Sequence, residues 1–507
     1  MNHLVIAPLL LPLLTGTLLL LLRRVLPLNV RRWLSLAAVT AQVVLAALLL
    51  LAVSNGDILV YALGNWPAPY GIVLVADRLS AWMLLITALL AWFALLHAIW
   101  GTDPGNRHFH PLFQLQLFGL SGAFLTGDLF NLFVFFEILL LASYGLLLHG
   151  GGAVRTRAGL HFVALNLAGS TLFLFAAGTF YGTLGTLNMA DLAVRIAATP
   201  PDNLSLVRAA GLLLFGVFAL KAALVPLHLW LPAAYSATSA PVAALFAIMT
   251  KVGVYALLRV GTLIFGGEAG PVAHLYAPWL LPLALATLML GVLGALSVTD
   301  LRRQIAYLVV VSVGLLLTAF SLGTQAGIAA GLYYLAHTTF AAAAFFLLAD
   351  SIARGRGERL DRLHPGPPLA QAGLVGGLFF ITAVLIAGLP PLSGFLGKFL
   401  VLRAALAEPV WPWVMGLVLT SSLLVVVALA RSGSLLFFRA QGVAAAPPVT
   451  AGALLPVAGL LALCLALTLQ AGPLVRFTQA TADQLLHPQG YIQAVLQPIA
   501  DRETQHQ

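Results

Sequence analysis

A chain of 507 residues that is 61% hydrophobic and only 8% charged is not a soluble domain, because soluble domains carry about 25% charged residues. Its formal charge of +9 therefore points to arginines at a membrane face rather than to nucleic acid. The one cysteine, Cys464, excludes an intrachain disulfide and argues against redox chemistry.

The first apolar stretch has no basic region ahead of it and no small-residue cleavage site, so it is expected to be a retained span rather than a signal peptide. Runs long enough to cross a bilayer fall at about 4–22, 33–53, 79–100, 111–126, 129–149, 158–182, 207–230, 241–266, 274–298, 302–322, 326–349, 372–402, 411–438 and 450–472. They predict an all-α polytopic membrane protein of about fourteen transmembrane helices. One membrane domain, 1–475, is followed by a short polar tail, 476–507.

Loops between fourteen spans alternate between two sides. One side collects fifteen arginines, from Arg23 and Arg24 to Arg431 and Arg439, and the other seven: Arg78, Arg195, Arg208, Arg259, Arg403, Arg476 and Arg502. Positive charge favours the cytoplasmic face, which places both termini outside. By this reading every arginine lies in a loop or near a span end.

The fifth run, "LFNLFVFFEILLLASYGLLLHG", contains a lone carboxylate, Glu137. It lies nine residues after Asp128, roughly 13 Å along a helix, near the middle of a hydrocarbon core about 30 Å thick. A carboxylate there costs several kcal/mol unless it is paired or neutral. The expected partner is a buried lysine, with Lys221 the first choice. Asp128 is expected to cap this helix and is a secondary candidate for the mouth of an ion path.

All three lysines, Lys221, Lys251 and Lys398, fall inside predicted spans. Arginine does not readily release its proton, whereas a desolvated lysine does. The segregation therefore puts fixed charge at the surface and exchangeable charge in the membrane. Helix breakers flank two of these lysines: Pro226 follows Lys221, and "GLPPLSG" precedes Lys398. Broken helices with a buried charge at corresponding places in two halves mark transporters with inverted repeats. Two five-helix repeats are expected, about 111–266 (spans 4–8) and 274–438 (spans 9–13), with spans 7 and 12 broken.

His337 lies mid-span and is a natural relay between lysines. His228, near a helix end, is a secondary candidate. His97 and His161 read as structural. "HFH" at 108–110 is weak evidence for a metal. No phosphate loop, dinucleotide fingerprint or metal cluster is present in the sequence, so no cofactor and no metal site are expected.

Three stretches carry a family resemblance: "TGDLFNLFVFFEILLLASYGLL" (126–147), "LKAALVPLHLWLPAAYSATSAPVAALFAIMTKVGVYALLRV" (220–260) and "GLPPLSGFLGKF" (388–399). They resemble the antiporter-like membrane subunits, a group that includes the proton-pumping subunits of complex I and the large subunits of Mrp/Pha-type monovalent cation/proton antiporters. The resemblance covers essentially the whole chain and is greatest to the D-type branch of the Mrp/Pha antiporter subunits, to which the tail "GYIQAVLQ" and the length also point. It implies fourteen spans, two inverted repeats and a hydrated polar axis at mid-membrane. The functional span 5 glutamate of the family matches Glu137, its lysines match Lys221, Lys251 and Lys398, and the span 11 histidine of the complex I relatives matches His337. His228 occupies a position that varies among these relatives. The resemblance further implies a bacterial inner-membrane hetero-oligomer of six or seven different membrane proteins, exchanging cytoplasmic Na+ or K+ for external protons.

Protons are then expected to move along Lys221, Lys251, His337 and Lys398, with water between, and the Glu137–Lys221 pair acts as a switch. Two rivals remain open from sequence. One is a proton-pumping subunit of a complex I-type oxidoreductase or membrane-bound hydrogenase, distinguished by Fe–S and flavin partners. The other is a scaffold that assembles such a complex, in which the relay could be neutralised without loss of function.

Overall fold

The computed structural model describes residues 3–497, apart from 106, 443, 445 and 446. Helices α1 (Ala7–Leu21) and α2 (Leu28–Val53) lead to an antiparallel ribbon, β1 (Leu59–Ala62) and β2 (Val73–Ala76), in which Leu59 faces Ala76. Next come α3 (Arg78–Ile99), α4 (Phe109–Leu125), α5 (Leu129–Leu147), α6 (Ala153–Leu184) and the short α7 (Met189–Ala197). Then follow α8 (Pro201–Ala222), α9 (Trp230–Ala237), α10 (Ala240–Phe246), α11 (Met249–Leu263), α12 (Ala277–Ser297) and α13 (Leu301–Ser321). The chain continues with α14 (Gln325–Gly355), α15 (Ala372–Ala387), α16 (Ser393–Ala405), α17 (Trp411–Gly433) and α18 (Ala451–Leu469). It closes with α19 (Ala471–Leu486) and α20 (Gln489–Leu496).

Eleven of the described helices or helix pairs are long and apolar enough to cross a bilayer, and α1 and α15 are shorter apolar helices. The protein is thus an all-α polytopic membrane protein. Two of the sequence runs are broken into half-helices. The seventh splits into α8 and α9 around Ala223–Leu229, and the twelfth into α15 and α16 around Gly388–Leu392. Proline cannot donate a backbone hydrogen bond, and Pro226, Pro390 and Pro391 sit in these two breaks. The eighth run carries a milder interruption at Ala247–Ile248, between α10 and α11, just ahead of Lys251.

The 31-residue α14 is the hub, buried along nearly its whole length. It touches α3, α10, α13, α15, α16, α18 and α19. Small residues, Gly327, Gly331 and Ala341–Ala344, let these neighbours approach. The outer helices α2, α6, α12 and α17 instead keep much of their apolar surface exposed, as suits lipid or partner subunits.

Two sequence expectations change. Arg259 is not a surface charge: it lies within α11, is 4% exposed, and forms a two-pronged ion pair with Asp77, with both N–O distances 2.7 Å. The stretch expected to be a polar tail folds into the end of α19 and α20, and these pack back onto the chain. Arg78 donates to the carbonyl of Ala480 at 3.2 Å, Gln325 to that of Gln479 at 3.2 Å, and Gln489 to Glu268 at 2.7 Å. Arg502 and the rest of the tail beyond 497 lie outside the described residues.

Candidate functional site

Glu137 lies midway along α5 and is partly exposed on the outer side of the bundle, one turn from the 69% exposed Leu141. Its carboxylate accepts a hydrogen bond from the Ser170 hydroxyl on α6. Lys221 occupies the last turn of α8, where helix-end carbonyls carry partial negative charge. It is 6% exposed, and its ammonium donates to Asn166 Oδ1 at 3.3 Å and sits 5.8 Å from the Phe136 ring centre.

The expected direct contact between Glu137 and Lys221 is absent: no ion pair within 4 Å joins them among the described residues. Helix α6 stands between them. Asn166 and Ser170 are one turn apart on it, and the Ser170 hydroxyl also bonds the Asn166 carbonyl at 3.0 Å. The two charges still interact electrostatically, but each is satisfied by a neutral group first.

The same rule holds at the other candidates. Lys251, fully buried in α11, donates to Ser312 Oγ of α13 at 3.4 Å. His337 Nδ1 on α14 shares a 2.9 Å hydrogen bond with Ser393 Oγ at the start of α16. Lys398 on α16 donates to the free carbonyl of Ala387 at 2.7 Å and to Ser422 Oγ of α17 at 2.9 Å. A neutral partner removes the cost of an unpaired polar group without fixing the charge as a carboxylate would.

Glycine lets these elements meet. A Cβ on Gly253 would lie 2.7 Å from the carbonyl carbon of Lys221, so α11 crosses against the broken end of α8 only because the side chain is missing. A Cβ on Gly394 would lie 2.9 Å from His337 Nε2.

Within the second half, among α13, α14, α15 and α17, is a small cavity lined by Ser312, Tyr334, His337 and Thr338 along with apolar groups. About 20 Å³ of it is open to the centre of a water molecule, enough for about one water. It separates the hydroxyl that holds Lys251 from the histidine next in the row.

Asp128 caps α5 by accepting from the Asn131 N–H at 2.8 Å. Burial pushes its carboxyl up to about 6, against the opposing effect of the backbone N–H bonds of Asn131 and Phe130. His228 lies in the break between α8 and α9, is 8% exposed, and its Nδ1 has no hydrogen-bond partner among the described residues. His97 is held by the Ala453 carbonyl at 3.1 Å and by Asp350 at 3.4 Å, and His161 is exposed. In the first turn of α4, His110 bonds Asp103 of the preceding loop at 3.1 Å, and Arg32 grips the same carboxylate at 2.6 and 2.7 Å. Burial would raise the Asp103 carboxyl, but these partners hold it below its ordinary value.

Sequence reading missed every neutral partner: Ser170, Asn166, Ser312, Ser393 and Ser422. A weak signal existed in the i, i+4 spacing of Asn166 and Ser170 within an apolar run.

Helices broken at proline, a deep glutamate and three buried lysines define the class of antiporter-like membrane subunits. The chain matches the family described as "NADH:quinone oxidoreductase/Mrp antiporter, TM" over residues 126–425, and it belongs to that family. Among its relatives, a Rhizobium meliloti (strain 1021) protein named as the D subunit of a probable K+/H+ antiporter is 42% identical, covering 98% of each chain. The D subunit of a Na+/H+ antiporter from Bacillus subtilis (strain 168) is 37% identical over 98% of this chain and 100% of that one. A chain in the structure of the Mrp complex from Dietzia sp. DQ12-45-1b superimposes with a TM-score of 0.88 at 29% identity, covering 98% of this chain and 100% of that one. A chain of the membrane-bound sulfane sulfur reductase, an archaeal respiratory membrane complex, gives 0.89 at 25% identity with the same coverage.

Proposed function

We propose that this chain is the D-type membrane subunit of a multisubunit monovalent cation/proton antiporter. It works among other small membrane subunits in a bacterial cell membrane and moves protons in exchange for cytoplasmic Na+ or K+. It is a secondary transporter subunit rather than an enzyme. The observation that carries this reading is the row of membrane-buried Lys221, Lys251, His337 and Lys398, each held by a neutral partner from another element, with Glu137 at one end. Relatives over the full length that carry the names of K+/H+ and Na+/H+ antiporter subunits support it.

In this reading the chain crosses the membrane fourteen times, with both termini periplasmic. Repeats of about 111–266 and 274–438 are inverted relative to one another. Protons pass along the row, with water in the cavity beside Ser312 and His337 as one step. Glu137 and Lys221 form the switch, and the arrangement bridged by Asn166 and Ser170 is its separated state. Direct pairing holds Lys221 charged. Separation leaves a buried lysine that passes its proton on. Asp128 stands at the mouth of the path, and His228, in the break after Lys221, serves entry.

The test uses inverted vesicles that contain the whole complex, from a host without other antiporters. The vesicles are energised, internal acidification is followed with a fluorescent dye, and Na+ or K+ is added. The wild type should release protons on addition of one of these cations, which names the cation. Glu137→Ala and Lys221→Ala, at equal complex abundance, should each lose the response. Intact exchange in both variants would sink the relay. No cation response from an assembled complex would favour a redox-driven pump instead.

A further inference from the structure

The stripe of α11 that carries Lys251 continues through Tyr255 to Arg259, at intervals of four residues. Arg259 therefore lies about 12 Å beyond Lys251 along the helix, toward the face that carries α19 and α20. What stands at that end is unlike the rest of the row. Arg259 is buried, and both of its terminal nitrogens bond Asp77 at 2.7 Å. Asp77 is 1% exposed, and its Oδ1 also accepts from the Ser80 N–H at 2.9 Å. The guanidinium is flanked by two rings, Tyr255 at 5.6 Å and Tyr491 at 5.2 Å from their centres. Tyr255 is itself tied to the Phe124 carbonyl at 2.9 Å. Tyr491 comes from α20, which rests on α7 and β1.

We propose that Arg259, gripped by Asp77 and roofed by Tyr491, is the seal that ends the proton path beyond Lys251. This rests on the relay reading given above. An arginine does not release its proton at any pH the membrane meets, and the Tyr255 hydroxyl before it is committed to the Phe124 carbonyl, so a proton on Lys251 has no onward carrier along α11. Its acid partner, Asp77, has its oxygens filled by the guanidinium and a backbone N–H. Aromatic faces on two sides exclude the water that would otherwise bypass the pair. The C-terminal helices thereby act as a lid. Arg78 and Gln484 help to fasten them: the side chain of Arg78 donates to Ala480, and its backbone N–H to the Gln484 side chain at 3.4 Å. Gln484 in turn donates to the Gly56 carbonyl at 3.1 Å. Arg259 and Tyr491 are positioning residues: they confine the proton to the relay and do not carry it.

A seal is tested by a leak. Vesicles with the complete complex are energised in choline salts without Na+ or K+, the proton pump is stopped, and decay of the gradient is followed. Arg259→Gln and Tyr491→Ala should each speed the decay several-fold at wild-type complex abundance. Tyr491→Phe, which keeps the ring, should decay as the wild type does. Adding Lys251→Ala to either leaky variant should restore the slow decay, because the leak runs through that lysine. A merely structural defect would leak regardless of Lys251. If Arg259→Gln does not assemble, the Tyr491→Ala and Tyr491→Phe pair decides. Wild-type decay in assembled Tyr491→Ala, or a leak that survives Lys251→Ala, overturns the proposal. Cation exchange by Lys251→Ala alone, measured in parallel, reports on the relay itself, so the two failures are distinguishable.

Discussion

The two broken helices hold their lysines in different ways. Lys221 stands just before its break, at the end of α8, and donates to a side-chain amide. Lys398 stands after its break, on α16, and reaches back to the Ala387 carbonyl that ends α15. Both ammonium groups thus sit at the negative end of a half-helix. Among the described residues, only the first half adds a carboxylate, Glu137, within electrostatic range of its lysine. Among the described residues, no acid forms an ion pair with Lys398. One half therefore has a charge that can be switched by pairing. The other has a charge held steadily by fixed dipoles.

The largest effect should come from removing exchangeability while keeping charge. Lys221→Arg and Lys398→Arg should each lower cation-driven proton release by about 10²-fold, the usual worth of a positioned proton-transfer group. Vesicle assays at matched abundance measure this. Normal exchange by Lys398→Arg alone would take Lys398 out of the relay and carry the comparison further, since the second lysine would then be only a fixed charge and not a carrier.

The next effect sharpens the switch. Hydrogen bonds to charged groups contribute about 1.5–3 kcal/mol, so Asn166→Ala and Ser170→Ala should each slow exchange by roughly tenfold or more. Removing Asn166 frees Lys221 to pair with Glu137, whereas Asn166→Gln, which keeps a neutral amide acceptor for Lys221, should retain part of the exchange. Asn166→Gln no faster than Asn166→Ala would show that Asn166 acts only on local structure. In the other half, Ser422→Ala should slow exchange only a few-fold, because the bond to Ala387 remains. A defect as large as that of Asn166→Ala would erase the distinction between a switched and a steady lysine.

How much of this is legible in the sequence follows from what each residue type reveals alone. Glu137 and the lysines stand out because a charge in an apolar run has few structural excuses. The breaks at Pro226 and at Pro390–Pro391 are legible because proline removes a donor wherever it stands. The neutral partners are not. Serine and threonine in membrane helices often bond their own backbone, as Thr171 and Thr179 do here, so a hydroxyl that reaches another helix looks the same in sequence. A Glu137–Lys221 contact is the natural expectation because charge pairing is the cheapest remedy for two buried ions. The insertion of α6 between them depends on packing that no local pattern encodes. Arg259 is misread for a similar reason. Its partner Asp77 lies 182 residues away in the chain, and a lone arginine near the end of a run reads as a surface charge.

The smallest predicted effect concerns Asp128, at the start of α5. Its carboxyl is pushed up to about 6 by burial, so the folded protein holds this proton more tightly than the unfolded chain does. Stability from this group is therefore highest at low pH, falls as pH rises from the ordinary carboxylate value through about 6, and levels off above that. In an Asp128→Asn variant the new amide would still cap α5, since asparagine is as good a cap as aspartate, but would carry no charge to desolvate. Thermal unfolding of the purified complex should then show the variant equal to the wild type at acid pH and modestly more stable above about 6. The start of α14, by contrast, is capped by an uncharged residue, Thr324, whose side chain accepts from the Gly327 N–H at 3.2 Å. Thr324→Ala should lower stability by about 1 kcal/mol at every pH. A pH-independent effect at Asp128 as well would mean that this carboxylate is only a cap, and the titrating mouth would have to be sought elsewhere.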